Sequence, residues 1–333
     1  MERYFNRIWY QTPDPPLFLV LLSLVYRLVT KIRKLAYQRN LLHTSGVAVP
    51  VLVVGNLSVG GTGKTPLIIW LVAFLRKHGY HPGVISRGYG GQLSKTSTPA
   101  LLPRNANPVL YGDEAVLIAS RTTCPVVIGK SRLSAARHLL LVSNCDIILS
   151  DDGLQHLALQ RDIEILVIDG MRQFGNQHCL PAGPLREPLS RINTIDLLVC
   201  NGNHFPGAFR MDLVGQTLTN LLDQQQQPVS FLRDKPLHVV TGIGNPQRFF
   251  QSLKLQGLDF DTRTFPDHHN YTAANLQFDD DSPILMTEKD AVKCYHLANR
   301  KIWMLPVEAQ FDSTFSDALK HLLEEKHGRL KTT

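Results

Sequence analysis

Val51-Leu-Val-Val-Gly-Asn-Leu-Ser-Val-Gly-Gly-Thr-Gly-Lys-Thr-Pro66 is the stretch whose reading decides the fold. Val51 to Val54 are apolar and mostly β-branched, the composition of a buried strand. Glycines, Lys64 and Thr65 follow at once, and beyond Pro66 the run from Leu67 to Leu75 predicts a helix. Strand, glycine loop, Lys-Thr and helix in that order make a phosphate-binding P-loop. Ser58, Val59, Gly60, Gly61, Thr62 and Gly63 are the expected cradle, because small residues let successive backbone N–H groups curl around a polyphosphate. Lys64 is expected to reach the outer phosphates and the Thr65 hydroxyl to bind Mg²⁺. Ser58 stands where the strict pattern has Gly, a mild departure while Gly60 to Thr65 is intact. The chain is read as binding a nucleoside triphosphate.

Outward from this loop, apolar segments alternate with helical ones. His81 to Ser86, Pro125 to Gly129, Asp146 to Leu149, Ile163 to Ile168 and Ile195 to Cys200 read as strands. That alternation predicts a mostly parallel α/β sheet with helices on both faces. Residues 41–209 form the expected P-loop domain. The glutamine-rich stretch within 210–234 is read as an inter-domain linker, built of free coil or of paired short strands, and 235–333 as a smaller α/β domain. At 333 residues two such units are the natural expectation.

A formal charge of +7 implies an anionic partner, either nucleotide, nucleic acid or an acidic membrane surface. No basic run with interleaved aromatics marks a nucleic-acid face, so nucleic acid falls behind. Five cysteines lie far apart without a C-x-x-C pair, which argues against zinc and disulfides and for a reducing compartment. Near the N-terminus, Leu17 to Tyr26 is the most apolar run, followed by Arg27, Lys31, Arg33 and Lys34. It is too short to span a bilayer and lacks a cleavage site. Residues 1–40 are therefore either a helix in a membrane interface or a core helix packed on the next domain.

Chemistry-bearing residues cluster at predicted strand ends. Asp151 and Asp152 close the Ile147 strand, where a P-loop enzyme keeps its Mg²⁺ carboxylate. Asp113 and Glu114 open a helix, and alone they read as carboxylates favoured by its dipole. His268 and His269 are a proton-handling pair or a solvated turn, since adjacent histidines aim poorly at one metal. Gly242-Ile-Gly244 is a lone G-x-G, read as a tight turn.

Taken in order, the motifs resemble the tetraacyldisaccharide 4′-kinase family, the lipid A 4′-kinases of Gram-negative bacteria. The resemblance rests on Val54 to Pro66, Ser86-Arg-Gly-Tyr-Gly90, Gly112-Asp-Glu114 and Asp151-Asp-Gly-Leu-Gln-His156. It continues through Leu180-Pro-Ala-Gly-Pro-Leu-Arg-Glu187, Gly242-Ile-Gly-Asn-Pro246, Phe265-Pro-Asp-His-His269 and Thr287-Glu-Lys-Asp290. It implies ATP-dependent phosphorylation of the 4′-hydroxyl of a tetraacylated glucosamine disaccharide 1-phosphate, at the cytoplasmic face of the inner membrane. Asp113 would be the base, helped by His268 or His269. Asp151 or Asp152 would hold Mg²⁺ with Thr65 and with Glu114 nearby. Arg87, Tyr89, Gln155 and Arg186 would contact the lipid A precursor. The same resemblance favours the membrane-interface reading of the N-terminal helix, beside an anionic membrane. The competing class is a P-loop nucleotide switch or metal-delivery NTPase. The chain lacks both an ordered guanine-reading Asn/Thr-Lys-x-Asp and a Cys/His cluster.

Overall fold

The computed structural model describes residues 2–12 and 14–330. Met1, Pro13 and 331–333, which belong to the expected terminal segments, lie outside the described residues. The chain opens with α1 (Glu2–Tyr10) and α2 (Leu17–Gln38). Then follow β1 (Val51–Gly55), α3 (Lys64–Lys77), β2 (Pro82–Ser86), β3 (Ala100–Leu101), α4 (Pro108–Tyr111), α5 (Asp113–Thr122) and β4 (Val126–Ile128). Next come α6 (Arg132–Val142), β5 (Ile147–Asp151), β6 (Ile163–Asp169), β7 (Leu197–Asn201), β8 (Phe209–Val214), β9 (Thr217–Asn220) and β10 (Gln226–Pro228). The chain ends with β11 (His238–Thr241), α7 (Pro246–Leu255), β12 (Asp261–Thr264), β13 (Ile284–Thr287), α8 (Glu288–Ala291), β14 (Ile302–Leu305), β15 (Glu308–Gln310) and α9 (Ser313–Leu330).

The larger sheet has nine strands in the order β15-β8-β7-β6-β1-β5-β2-β4-β3. It is parallel except at its two edges, where β3 and β15 run antiparallel to β4 and β8. Strand β1 alternates strictly. Leu52 and Val54 pack with Leu67 and Leu71 of α3 on one face, while Val51 and Val53 pack with Ala135 and Leu139 of α6 on the other. Burial on both faces is what parallel strands require, and it explains the continuous apolar run. The smaller sheet has the order β10-β9-β14-β13-β11-β12, with β11 to β14 mutually parallel.

The expected boundaries need refinement. Residues 210–234 are the paired-strand form of the linker and belong to both sheets, since β8 joins the larger sheet beside β7 while β9 and β10 join the smaller one. The C-terminal unit does not keep its tail. Strand β15 pairs with β8, and α9 inserts the fully buried Phe315 into the core beneath β1. Aromatic packing holds it there: Phe315 meets Trp70 of α3 at 5.2 Å and stacks on Phe311 at 4.2 Å.

Helix α2 also differs from a core helix. Only Leu19 and Ser23 are buried, and two hydrogen bonds tie it down, Tyr26 Oη to Arg186 O (3.0 Å) and Arg33 Nη2 to Gln155 O (3.3 Å). Leu17, Phe18, Leu21, Leu22, Val25, Val29 and Ile32 point outward and are more than half exposed. Among the described residues no helix is long and apolar enough to cross a membrane.

Candidate active site

The P-loop leaves β1 and enters α3 through Gly63, whose φ of +97° is accessible at low cost only to glycine. A side chain there would also collide with Asn201, which donates from Nδ2 to Thr62 O at 2.9 Å. Asn56 shapes the other side, donating from Nδ2 to Ser58 O (2.6 Å) and Gly60 O (3.2 Å) and accepting from Lys64 Nζ (3.2 Å). Helix α3 begins at Lys64, three residues before the apolar run, so Lys64 and Thr65 occupy its first turn. Asn56 and Asn201 carried no signal of their own in the sequence, because lone asparagines usually read as turn residues.

Strand β5 lies directly beside β1, with Asp151 opposite Val54. Asp151 is buried; its Oδ2 accepts from Ser86 Oγ at 3.0 Å, while its Oδ1 has no hydrogen-bond partner among the described residues. Burial, with the charges of Glu114 and Asp152, pushes its carboxyl up to about 7. Asp152 sits in the left-handed region at φ +48°. Its Oδ1 faces Lys64 Nζ at 3.5 Å and its Oδ2 accepts from Arg186 Nη1 at 2.9 Å. Burial raises the Asp152 carboxyl, but Lys64 and Arg186 outweigh it and hold it well below the usual range.

An orphaned buried carboxylate oxygen at the end of the strand beside β1, which feeds the P-loop, fits a divalent cation. Among the described residues no three His, Cys, Asp or Glu side chains gather to hold an ion alone. That is compatible with Mg²⁺, which keeps waters and takes nucleotide phosphates as ligands.

Asp113 opens α5 after Gly112 and is nearly fully buried. Across from it stands His268 of the smaller-sheet unit, its Nδ1 at 3.0 Å from both Asp113 carboxylate oxygens. Burial raises the Asp113 carboxyl, yet the His268 hydrogen bond and the nearby Lys289 and Lys293 bring it below the ordinary value. Burial lowers the His268 imidazole, and the Asp113 bond more than restores it. His268 holds φ +60°, and Tyr89 meets its ring edge-on at 4.9 Å.

The histidine pair divides. His269 turns away from Asp113, sets Nε2 3.0 Å from Asn275 Oδ1 and stacks on Phe265 at 4.3 Å. Of the two histidines that the sequence left open, His268 is thus the one that faces Asp113, because successive side chains in this turn leave in different directions. Glu114 accepts from Lys289 Nζ at 2.9 Å; the charge of Lys289, opposed by burial and aided by Lys64, keeps its carboxyl low.

Two cavities meet at Glu114, which lines both. One, of about 410 Å³, is bounded by Gly61 to Thr65 of the P-loop and by Ile243, Gly244 and Asn245 of the smaller-sheet unit. The other, of about 960 Å³, is lined by Arg87, Tyr89, Gln155 and Arg186, with Asp151 and Asp152 at its end and Leu24, Arg27, Leu28 and Lys31 of α2 along its wall. Arg132, for which no sequence motif spoke, is buried there and donates from Nη2 to Asp151 O at 2.8 Å.

Residues 16–324 match the sequence profile of a family described as tetraacyldisaccharide-1-P 4′-kinase. The chain belongs to that family. A tetraacyldisaccharide 4′-kinase of Nitrosococcus oceani is 49% identical over 319 residues, 96% of this chain and 94% of its own. One of Methylobacillus flagellatus is 44% identical over 321 residues, 96% of this chain and 95% of its own. Among solved structures, that of LpxK from Aquifex aeolicus in complex with ATP superposes with a TM-score of 0.74 at 26% identity, covering 90% of this chain and 97% of that one. The mostly parallel architecture is thus the fold of the tetraacyldisaccharide-1-P 4′-kinases.

Proposed function

We propose that this chain transfers the γ-phosphoryl group of ATP to the 4′-hydroxyl of a tetraacylated glucosamine disaccharide 1-phosphate, a step of lipid A biosynthesis. The observation that carries the reading is the Asp113–His268 contact, made between two units beside the junction of a P-loop cavity and a larger basic one. A sugar hydroxyl is a poor nucleophile at neutral pH, so a group must accept its proton as the bond to phosphorus forms. Asp113 is the base, and His268 orients its carboxylate and stabilises its charge. Lys64 and the backbone of 58–63 hold the phosphates, while Asp151 or Asp152, with Thr65 and with Glu114 nearby, would hold Mg²⁺ together with the nucleotide and water. An ion held there supplies neutralisation of the charge on the β- and γ-phosphoryl oxygens. Arg87, Tyr89, Gln155 and Arg186 bind the disaccharide in the larger cavity. Closing the two units together keeps water from the phosphoryl group.

The membrane reading belongs with this function. Helix α2 offers an apolar face outward and its cations Arg27, Lys31 and Lys34 to the same cavity, so acyl chains and an anionic headgroup find matching surfaces side by side. We place the enzyme peripherally on the cytoplasmic face of the bacterial inner membrane. Incubating the full chain with ATP, Mg²⁺ and the disaccharide 1-phosphate in mixed micelles tests the reading. The expected product carries one more phosphate at the 4′ position; transfer to another hydroxyl, or ATP hydrolysis without transfer, overturns it.

A further inference from the structure

The motif Thr287-Glu-Lys-Asp290 takes no part in the P-loop or in the base, yet it forms a tightly held turn. Asp290 is fully buried, and its Oδ2 accepts from Thr241 Oγ1 (2.8 Å), Thr287 Oγ1 (2.7 Å) and Gly242 N (3.1 Å). Its Oδ1 accepts from Tyr271 Oη (2.9 Å) and Lys293 Nζ (3.0 Å). Satisfied on both oxygens, this carboxylate fixes α8 at the end of β13. Glu288 then reaches the other unit, accepting from Arg121 Nη1 of α5 at 2.9 and 2.7 Å. Lys289 is left pointing between Glu114 Oε1 (2.9 Å) and Asp267 Oδ1 (3.1 Å), and it lines the nucleotide cavity with Gly61 to Thr65.

We infer that Lys289 is a catalytic cation, delivered by the smaller-sheet unit to the γ-phosphoryl group of ATP in the cavity that Lys64 also lines. The inference rests on the kinase reading above and deepens it. Charge spreads over the phosphoryl oxygens in the transition state, and a cation supplied from a second element stabilises it there. An ammonium has three donors, and two are engaged here, so one remains for a phosphate oxygen in the cavity that Lys289 lines. The smaller-sheet unit already lies against the P-loop, since a Cβ at Gly244 would come within 2.8 Å of Gly61 N. Glu114 is paired with Lys289 at 2.9 Å and lies within the field of Lys64, so one lysine from each unit lines the nucleotide cavity beside it.

Lys289→Met, Lys289→Arg and Lys64→Ala test this in the full chain with ATP and tetraacyldisaccharide 1-phosphate. Lys289→Met should lower kcat about a hundredfold, with KM for ATP moved by less than about threefold. Lys289→Arg should recover most of the loss. ADP with aluminium fluoride, a mimic of the planar phosphoryl group, should bind the parent more tightly than ADP alone and lose that advantage in Lys289→Met. A methionine variant with the parent kcat, or one whose whole loss lies in KM for ATP, overturns the inference. If Lys64→Ala is inactive while Lys289→Met is not, the inference falls and the kinase reading stands. If both turn over at the parent rate, the kinase site itself is misassigned. Lys289→Gln keeps a donor for Glu114 and Asp267, and its kcat and KM decide in the same way should the methionine variant not fold.

Discussion

Asp113 and His268 lie 155 positions apart in the chain and meet at 3.0 Å. Replacing Asp113 with Asn keeps the shape and a hydrogen bond but removes the basic oxygen, so kcat should fall by roughly 10²–10⁴ while ATP still binds. Adding His268→Ala should cost little more, since members of one catalytic unit fail together. Steady-state kinetics on the two single variants and the double variant decide this, and fully additive losses would make Asp113 a metal or nucleotide ligand instead. His156 yields a second test. Burial, with the guanidinium groups of Arg132 and Arg87, pushes its imidazole down to about 3. Its folded value lies below its unfolded one, so the stability it contributes is present above about pH 6.5 and lost as pH falls toward 3. Each unit in that window costs at most about 1.4 kcal/mol. Denaturant midpoints at pH 7 and pH 5 should therefore lie closer together in His156→Gln than in the parent.

Among the elements, α2 is the one whose surface contradicts its composition. A helix this apolar normally buries its stripe, but here the stripe faces outward and only a narrow edge is docked. Changing Leu21, Val25 and Val29 together to Ser should weaken partition into anionic vesicles, at roughly 1–2 kcal/mol per side chain removed from the acyl region. ATP affinity should stay as it was. Co-sedimentation with vesicles reads the effect, and unchanged sedimentation would mean that the face serves something other than lipid. Raising salt should release part of the binding, carried by Arg27, Lys31, Arg33 and Lys34, and leave the apolar part.

Strand and P-loop elements were legible in the sequence because their signals are local: β-branched runs, glycines at fixed offsets and a Lys-Thr pair. The ten-residue apolar run understated α2, since its polar C-terminal turns continue the helix without continuing the hydropathy. The choice between His268 and His269 was not legible at all. It depends on which ring the left-handed backbone at 268 aims at a residue of the other unit, and no spacing rule carries that information.

At the scale of the whole molecule, the larger unit is built from both ends of the chain. Phe315 fills the space beneath β1 beside Leu67 and Leu71, so Phe315→Ala should destabilise the P-loop unit by about 3–5 kcal/mol. Differential scanning of intrinsic fluorescence should register it, because Trp70 contacts the deleted ring. A smaller loss confined to the smaller-sheet unit would contradict this account of the core. The misplaced domain boundary has the same origin. Residues 308–330 look like the close of the second βα series, and only the non-local pairing of β15 with β8 reveals where they belong.

That pairing makes β8 and β15 the two arms of an antiparallel ladder, with Val214 opposite Glu308. Everything between them, 215–307, is in effect a long insertion at the tip of a hairpin. Such a module hangs from two adjacent strands, and two connections restrain its twist as a single thread would not, as the paired hinges of a gate do. The arrangement also means the gate could be removed. A short Asn-Gly turn joining Val214 to Glu308 would restore an ordinary hairpin, leaving a protein that should still fold, hold ATP weakly through its P-loop and sit on lipid, but that lacks His268 and Lys289 and, on the proposed roles of those two residues, should not transfer phosphate.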